Sequence, residues 1–143
     1  MNVQQISVFL ENRSGQLAEV TRVLADNGVD MRAISIAETA DYGVLRLIVD
    51  DTEKATSILL SQGFILSMTP VTVVVVPDCA GGLAPVLETI AEGELSIEYM
   101  YSLFTRREGK AYMVFRIADE EKFKSLLAAN GLQTADKVEL ELK

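Results

Sequence analysis

Residues 11–17 read ENRSGQL and residues 77–83 read PDCAGGL. Each is a short polar turn with glycine, set after an apolar run (ISVFL, VTVVVV) and before a helical pattern (LAEVTRVLADNG, APVLETIAEG). Gly15 and Gly81 lie 66 positions apart (81 − 15), and the same offset places Leu17 on Leu83, Asn12 on Asp78, Val20 on Val86 and Leu24 on Ile90. Further along the offset becomes 68 (119 − 51), matching Asp51 with Asp119, Leu59 with Leu127 and Gly63 with Gly131. Self-similarity sustained in this way marks a duplicated structural unit, and a longer connection in the second copy accounts for the slip of two.

The patterns on either side of the turns say what each copy folds into. Val3, Ile6, Val8 and Leu10 fall on roughly one parity with Phe9 facing the other way, which predicts a strand over 3–10. From Leu17 the spacing changes to Leu17, Val20, Leu24, the stripe of an amphipathic helix, and Asn27 with Gly28 supplies its stop. Residues 30–38 and 43–50 read as strands joined through TADYG, Asp51 opens a helix that Gly63 closes, and FILSMT is a last strand. After Pro70 the order returns. VTVVVV is a strand, GLAPVLETIAEG a helix, LSIEYMYSLF and KAYMVFRIA are strands joined by TRREG, Asp119 and Glu120 open a helix, and DKVELEL closes the copy.

Each copy is therefore βαββαβ, a split pair of right-handed crossovers that gives a four-stranded antiparallel sheet with both helices on one face. The fold class is α+β, two ferredoxin-like units spanning 1–69 and 70–143. A sheet with one wet face should alternate cleanly, yet VTVVVV is apolar on both parities, and Val44 and Ile48 flank Arg46 on the outward side of YGVLRLIV. Part of the back face is thus expected to be covered by the sister unit or by a second chain, which predicts a homodimer or larger assembly.

Composition narrows the chemistry. Thirteen basic against 21 acidic residues leave a formal net charge of −8, shared evenly between the halves. Such a chain repels a phosphate backbone and anionic membranes, so neither nucleic acid nor a membrane is an expected partner. The amino-terminal residues carry no basic leader or apolar stretch of secretory length, and VTVVVV is too short to span a bilayer, so a soluble cytoplasmic location is expected. With no histidine and one cysteine, Cys79, the chain lacks the usual materials of a zinc site or an imidazole-assisted nucleophile. No cofactor and no enzyme activity are expected.

The first strand, the NRSGQL turn, the helix ending ADNGVD and the strand MRAISIAET resemble the opening of an ACT domain, a small regulatory module of amino-acid-sensing enzymes. Asn12, Gly15 and Leu17 follow the NxxGxL pattern of that family, which survives in the second copy as Asp78, Gly81 and Leu83. With no catalytic domain beside the pair, the chain resembles a free-standing tandem ACT protein. The resemblance implies that a free amino acid or similar small metabolite binds where the strand-to-helix loop of one unit meets the second strand of its neighbour. The implied site residues are Asn12, Arg13, Ser14, Gly15, Gln16 and Leu17 with Met100, Tyr101 and Ser102, and Asp78, Cys79, Ala80, Gly81, Gly82 and Leu83 with Ile34, Ser35 and Ile36.

Physical chemistry supports such a role independently. A helix N-terminus presents unpaired N–H groups and a partial positive charge, which suit a carboxylate. Glycine lets backbone approach the ligand closely. Asn12 offers a donor and an acceptor, and Asp78 an anion for an ammonium group, so the two loops are not equivalent. Each residue also has a plain structural reading. Asn12, Ser14 and Asp78 are common helix-start residues, the glycines serve turn geometry, Arg13 is a solvated charge, Cys79 is a small loop residue, and the aromatics at 99–101 are core or interface. The expected function is allosteric amino-acid sensing. The alternative is a dimerisation or partner-binding module without a small ligand. An RNA binder would need exposed aromatics and a basic surface, and the metal-carrying version of the fold a CxxC in its first loop.

Overall fold

The shared parity of Ile6, Val8 and Leu10 becomes the inner face of strand β1 (Val3–Glu11) in the computed structural model, which describes residues 3–11, 13–38, 41–105 and 107–143. The chain divides into two units, Gln4–Thr69 with Glu141–Lys143 and Pro70–Leu140 with Val3.

In the first unit β1 leads to helix α1 (Gln16–Asp26), strands β2 (Met31–Glu38) and β3 (Tyr42–Val49), helix α2 (Thr52–Ser61) and strand β4 (Ile65–Pro77). The strand order is β2-β3-β1-β4. β3 pairs antiparallel with β1 through Ile6↔Leu47 and Leu10↔Gly43, and with β2 through Ile34↔Leu47. Val20 and Leu24 of α1 and Ala55 and Leu59 of α2 pack on Ile6, Val8, Leu45 and Leu47 to form the core. Helix α1 stops where Asn27 donates its side-chain amide to the Val23 carbonyl at 2.8 Å and Gly28 takes φ 69°. Helix α2 starts where the Asp51 carboxylate accepts from the Lys54 N–H at 3.2 Å, a side-chain cap on the first turn.

The second unit repeats the plan. The latter part of β4 is followed by α3 (Ala84–Glu92), β5 (Tyr99–Ser102), β6 (Lys110–Arg116), α4 (Glu120–Ala129) and β7 (Thr134–Ala135). β6 pairs antiparallel with β4 and β5, and β7 pairs with β4, giving β5-β6-β4-β7 as the counterpart of the first sheet. Its core joins Val74, Val76, Val86, Ile90, Ile117 and Leu127 to an edge-to-face pair, Phe115 and Phe123, whose ring centres lie 5.7 Å apart.

The elements depart from the sequence reading in four places. FILSMT and VTVVVV are one strand, because Pro70 removes an N–H without leaving extended geometry, and its carbonyl still accepts from Arg116 at 3.3 Å. The strand expected over LSIEYMYSLF shrinks to Tyr99–Ser102, since Glu94 turns the chain at φ 55° and Leu95 donates back to the Ile90 carbonyl. DKVELEL is not a strand. The Asp136 carboxylate accepts from the Glu139 N–H at 2.9 Å, its carbonyl accepts from Leu140, and the resulting turn buries Leu140 while Val138 stays exposed. The last strand is instead Thr134–Ala135. Lastly, the inward stripe of α1 is Gln16, Val20, Leu24, and Leu17 faces out. Of the connections, Thr39 and Ala40 of TADYG and Arg106 of TRREG lie outside the described residues.

Val71, Thr72, Val73, Val74 and Val76 are buried within the single chain, as is Ile48, so apolar character on both parities does not by itself call for a second molecule. Phe9, opposite Val44 in the β1–β3 ladder, does remain 45% exposed. No helix among the described residues is long and apolar enough to cross a membrane.

Leu24 and Leu127 are fully buried in the two separate cores. Leu24→Ala and Leu127→Ala are each expected to lower unfolding free energy by about 2–5 kcal/mol in urea titrations. A loss under about 1 kcal/mol at either position would mean that its core does not hold the fold.

Candidate functional site

Between the end of β1 and the start of α1 the chain must reverse from an extended ladder into a helix within a few residues. The Arg13 N–H folds back to the Glu11 carbonyl at 2.7 Å, and the Gln16 N–H reaches the Arg13 carbonyl at 3.4 Å. Gly15 then occupies the cap position with φ 84°, a left-handed conformation that costs glycine little. Because the cap residue has no side chain, no side-chain oxygen meets the first-turn amides. The first ordinary helical bond is Glu19 N–H to Gly15 carbonyl, at 3.0 Å, so the N–H groups of Leu17 and Ala18 have no acceptor within the helix. A Cβ placed on Gly15 would meet nothing within 4 Å, so the cap faces open space.

Gly15, Gln16 and Leu17 of this turn border a hollow of about 250 Å³. The loop and helix start contribute Arg13, Ser14, Gly15, Gln16 and Leu17; β1 adds Leu10 and Glu11, β2 adds Ile36 and Glu38, and β3 adds Tyr42 and Gly43. The strand ladder brings these together, since Leu10 pairs with Gly43, Glu11 with Tyr42, and Glu38 also with Gly43. Among the described residues that line it, the charged groups are two carboxylates and one guanidinium. Arg13 lies 3.4 Å from Glu19 and 3.9 Å from Glu11, in exposed pairs that contribute little stability but already balance its charge. Gln16 is only 9% exposed, and its side-chain carbonyl oxygen is buried with no hydrogen-bond partner. An unmet buried acceptor costs about 1–3 kcal/mol.

Of the residues singled out in the first copy, Arg13, Ser14, Gly15, Gln16 and Leu17 share this hollow, and Asn12 lies outside the described residues. Ile36 joins them from β2 of the same unit. Ile34 packs against the first core instead, and Ser35 sits opposite Arg46 in the ladder. Leu10, Glu11, Glu38, Tyr42 and Gly43 were missed. The strand order was the available signal, because in βαββαβ the end of β1 must lie beside the start of β3 and the end of β2.

The equivalent turn in the second unit is built differently. Cys79 N–H bonds to the Pro77 carbonyl at 3.0 Å and Gly82 N–H to the Cys79 carbonyl at 3.1 Å, coiling the loop on itself. A Cβ on Gly82 would collide with the Pro77 carbonyl oxygen. In the first turn of α3, Ala84 and Val86 donate to Gly81 and Leu83 carbonyls, and Pro85 has no N–H to offer. Residues 84–86 of this helix start therefore offer no free amide to an anion. A hollow of about 340 Å³ in this unit is walled by Val75, Pro77, Lys110, Gly131 and Gln133 among others, but not by residues 78–83 or 100–102. Met100 packs on the second core, and Tyr101 stacks with Tyr99 at 6.4 Å. Among the described residues no group of three or more His, Cys, Asp or Glu side chains is placed to hold a metal ion.

Comparison with known proteins adds family and fold. The family model for the ACT domain pair matches residues 1–142. Protein BT0572 from Bacteroides thetaiotaomicron is 37% identical, with a TM-score of 0.88 over 99% of this chain and 96% of that one. The ligand-free regulatory subunit of aspartate kinase from Thermus thermophilus is similar in fold at 15% identity, with a TM-score of 0.64 over 90% of this chain and 91% of that one. Aspartokinase alpha and beta subunits give 18% identity and a TM-score of 0.59 over 92% and 94%. Among curated proteins none matches the sequence.

The contrast between the loops is measurable in stability. Gly15→Ala adds a methyl facing open space at a left-handed position and is expected to cost about 1 kcal/mol. Gly82→Ala drives a methyl into the Pro77 carbonyl and should cost about 3 kcal/mol by urea unfolding. Equal losses, or the reverse order, would contradict the open and closed assignments.

Proposed function

Because the chain belongs to the family of ACT domain pairs, we propose that it is a non-catalytic regulatory sensor that binds a free amino acid, or a similar small metabolite, at the start of α1. The observation that carries this reading is the open helix start, where a side-chain-free cap and first-turn amides without helix acceptors stand beside a hollow walled by both aliphatic and charged side chains. The amides suit the ligand's carboxylate. The volume, about 250 Å³, falls just below the roughly 300–1,000 Å³ of pockets for drug-sized ligands and fits one small metabolite.

The proposal takes 1–69 and 70–143 as the two ACT units and gives the ligand loop to the first. The closed start of α3 supports a mainly structural role for the second turn. A ligand with unequal affinity for two states of a protein shifts their balance, which is how a module without catalytic groups transmits a concentration. The proposal includes pairing with a second copy, supported by the exposed Phe9 on the sheet and the exposed Leu60, Ile65 and Met68. Light scattering at micromolar concentration should then return twice the chain mass, and a monomer mass would end that part.

Binding is tested by thermal shift against the twenty amino acids, followed by calorimetric titration of those that raise the melting temperature. Ile36 is 42% exposed on β2, so Ile36→Glu should fold normally yet repel the carboxylate and weaken binding at least about tenfold, or ~1.4 kcal/mol. Asp78→Asn, at the closed turn, should bind like wild type. If no amino acid shifts the melting temperature, or if Ile36→Glu binds unchanged, the sensing role fails.

A further inference from the structure

We infer that the open edge of β4 over residues 65–69 pairs antiparallel with the same edge of a second copy, while the two α2 helices close over the joint. The inference rests on the pairing with a second copy proposed above and gives that pairing its surface.

The edges of the sheet differ in how they are protected. An edge strand offers unpaired N–H and C=O groups to any passing chain, and proteins blunt it with charge, bulges, proline or brevity. β2 carries Arg32 and Glu38 and a register shift between Met31 and Ala33, β5 is four residues long and β7 two. The first part of β4 has none of these devices. Among the described residues β6 pairs with β4 only from Thr72 to Pro77, and β7 only at Val73 and Val74, leaving β1 as the one strand neighbour of residues 65–69. That stretch reads ILSMT, without charge or proline, and Ile65 is 70% exposed and Met68 40%.

Several features fit this edge to a copy of itself. All five residues overlap when Ser67 lies opposite Ser67 of the second copy, which sets Leu66 against Met68 and Ile65 against Thr69 with no like charges facing. Pro70, which has no N–H to give, ends the pairing. Leu66 packs on the first core and the Met68 sulfur lies 3.7 Å from the Thr56 hydroxyl of α2, so both face the helix layer. In the pair they make one apolar strip beneath it. Beside Met68, α2 borders a hollow of about 450 Å³ with Thr52, Glu53, Thr56, Ser57 and the exposed Leu60. Helices pack about 8–10 Å apart, close to two strand spacings of about 4.8 Å, so joined β4 edges bring the two α2 helices to packing distance. Laid antiparallel, each Leu60 meets the smaller Thr52 and Thr56 of the other helix, and the two Glu53 carboxylates stand towards opposite ends. A specific dimer buries about 800 Å² per partner, more than one short strand edge supplies, so the hollow beside α2 is area the joint needs.

The test is the mass of the full chain by light scattering at micromolar concentration. Wild type should return twice the chain mass. Ser67 is exposed, so Ser67→Lys should keep the far-ultraviolet circular dichroism of wild type yet return the single chain mass, because two ammonium groups then face each other across the axis. Ala37→Lys, on the exposed end of β2, should remain a dimer. Independently, Ser67→Cys in a Cys79→Ser background should link two chains by a disulfide in air, since opposite residues of an antiparallel pair hold their Cβ atoms about 4.5–5.5 Å apart. Ala37→Cys in that background should not. A dimer that survives Ser67→Lys, a dimer lost in Ala37→Lys, or failure of the Ser67→Cys link overturns this interface while the pairing itself stands. A monomeric wild type overturns both, and leaves the open edge to an extended segment of another protein.

Discussion

The antiparallel pairing of β1 with β3 is the constraint on which the site depends. Once Ile6 is opposite Leu47, the register carries Leu10 to Gly43 and Glu11 to Tyr42, and the chain leaving β1 has to turn beside the β2–β3 end of the sheet. A slip of one residue would put Ile6, Val8 and Leu10 on the wrong face and dissolve the core beneath both helices. The hydrophobic requirement that fixes the register therefore also fixes which polar residues meet at the strand ends. Glu11, Glu38 and Tyr42 need no packing reason of their own to be gathered there.

Two copies of one plan have resolved the same turn in opposite ways. In the first, glycine at the cap and the absence of a capping side chain leave amides unmet at the helix start. In the second, Pro85 removes a donor, the Gly81 and Leu83 carbonyls take the next two, and Gly82 is required because the loop closes against Pro77. The open start leaves the Leu17 and Ala18 amides without acceptors in the helix, the donors that the proposed ligand carboxylate would use. The closed turn has nothing comparable to gain from a ligand.

Much of this was legible in the sequence. The 66-residue offset between Gly15 and Gly81, together with apolar parity in the strands, was enough for two βαββαβ copies in antiparallel sheets, and all four expected helices form. The misses share a cause, which is that local chemistry overrode pattern. Asp136 captured its own backbone and made a turn of an alternating VELEL, and Pro70 did not break a strand because only its N–H is missing. At the site, spacing alone assigned Leu17 to the inward stripe, whereas the helix that follows the left-handed Gly15 cap buries Gln16, Val20 and Leu24. Asn12 against Asp78 already set the two loops apart in sequence, and the carbonyl partners of Ala84 and Val86 reveal that the second helix start is the closed one.

The most direct measurement follows backbone amides by nitrogen-15 correlation spectroscopy while an amino acid that raises the melting temperature is titrated in. An open first loop requires the largest shifts at Leu17 and Ala18, with Cys79, Gly82, Ala84 and Val86 unmoved. Shifts centred on 77–86, or spread equally over both loops, would contradict the division between an open ligand loop and a closed structural turn.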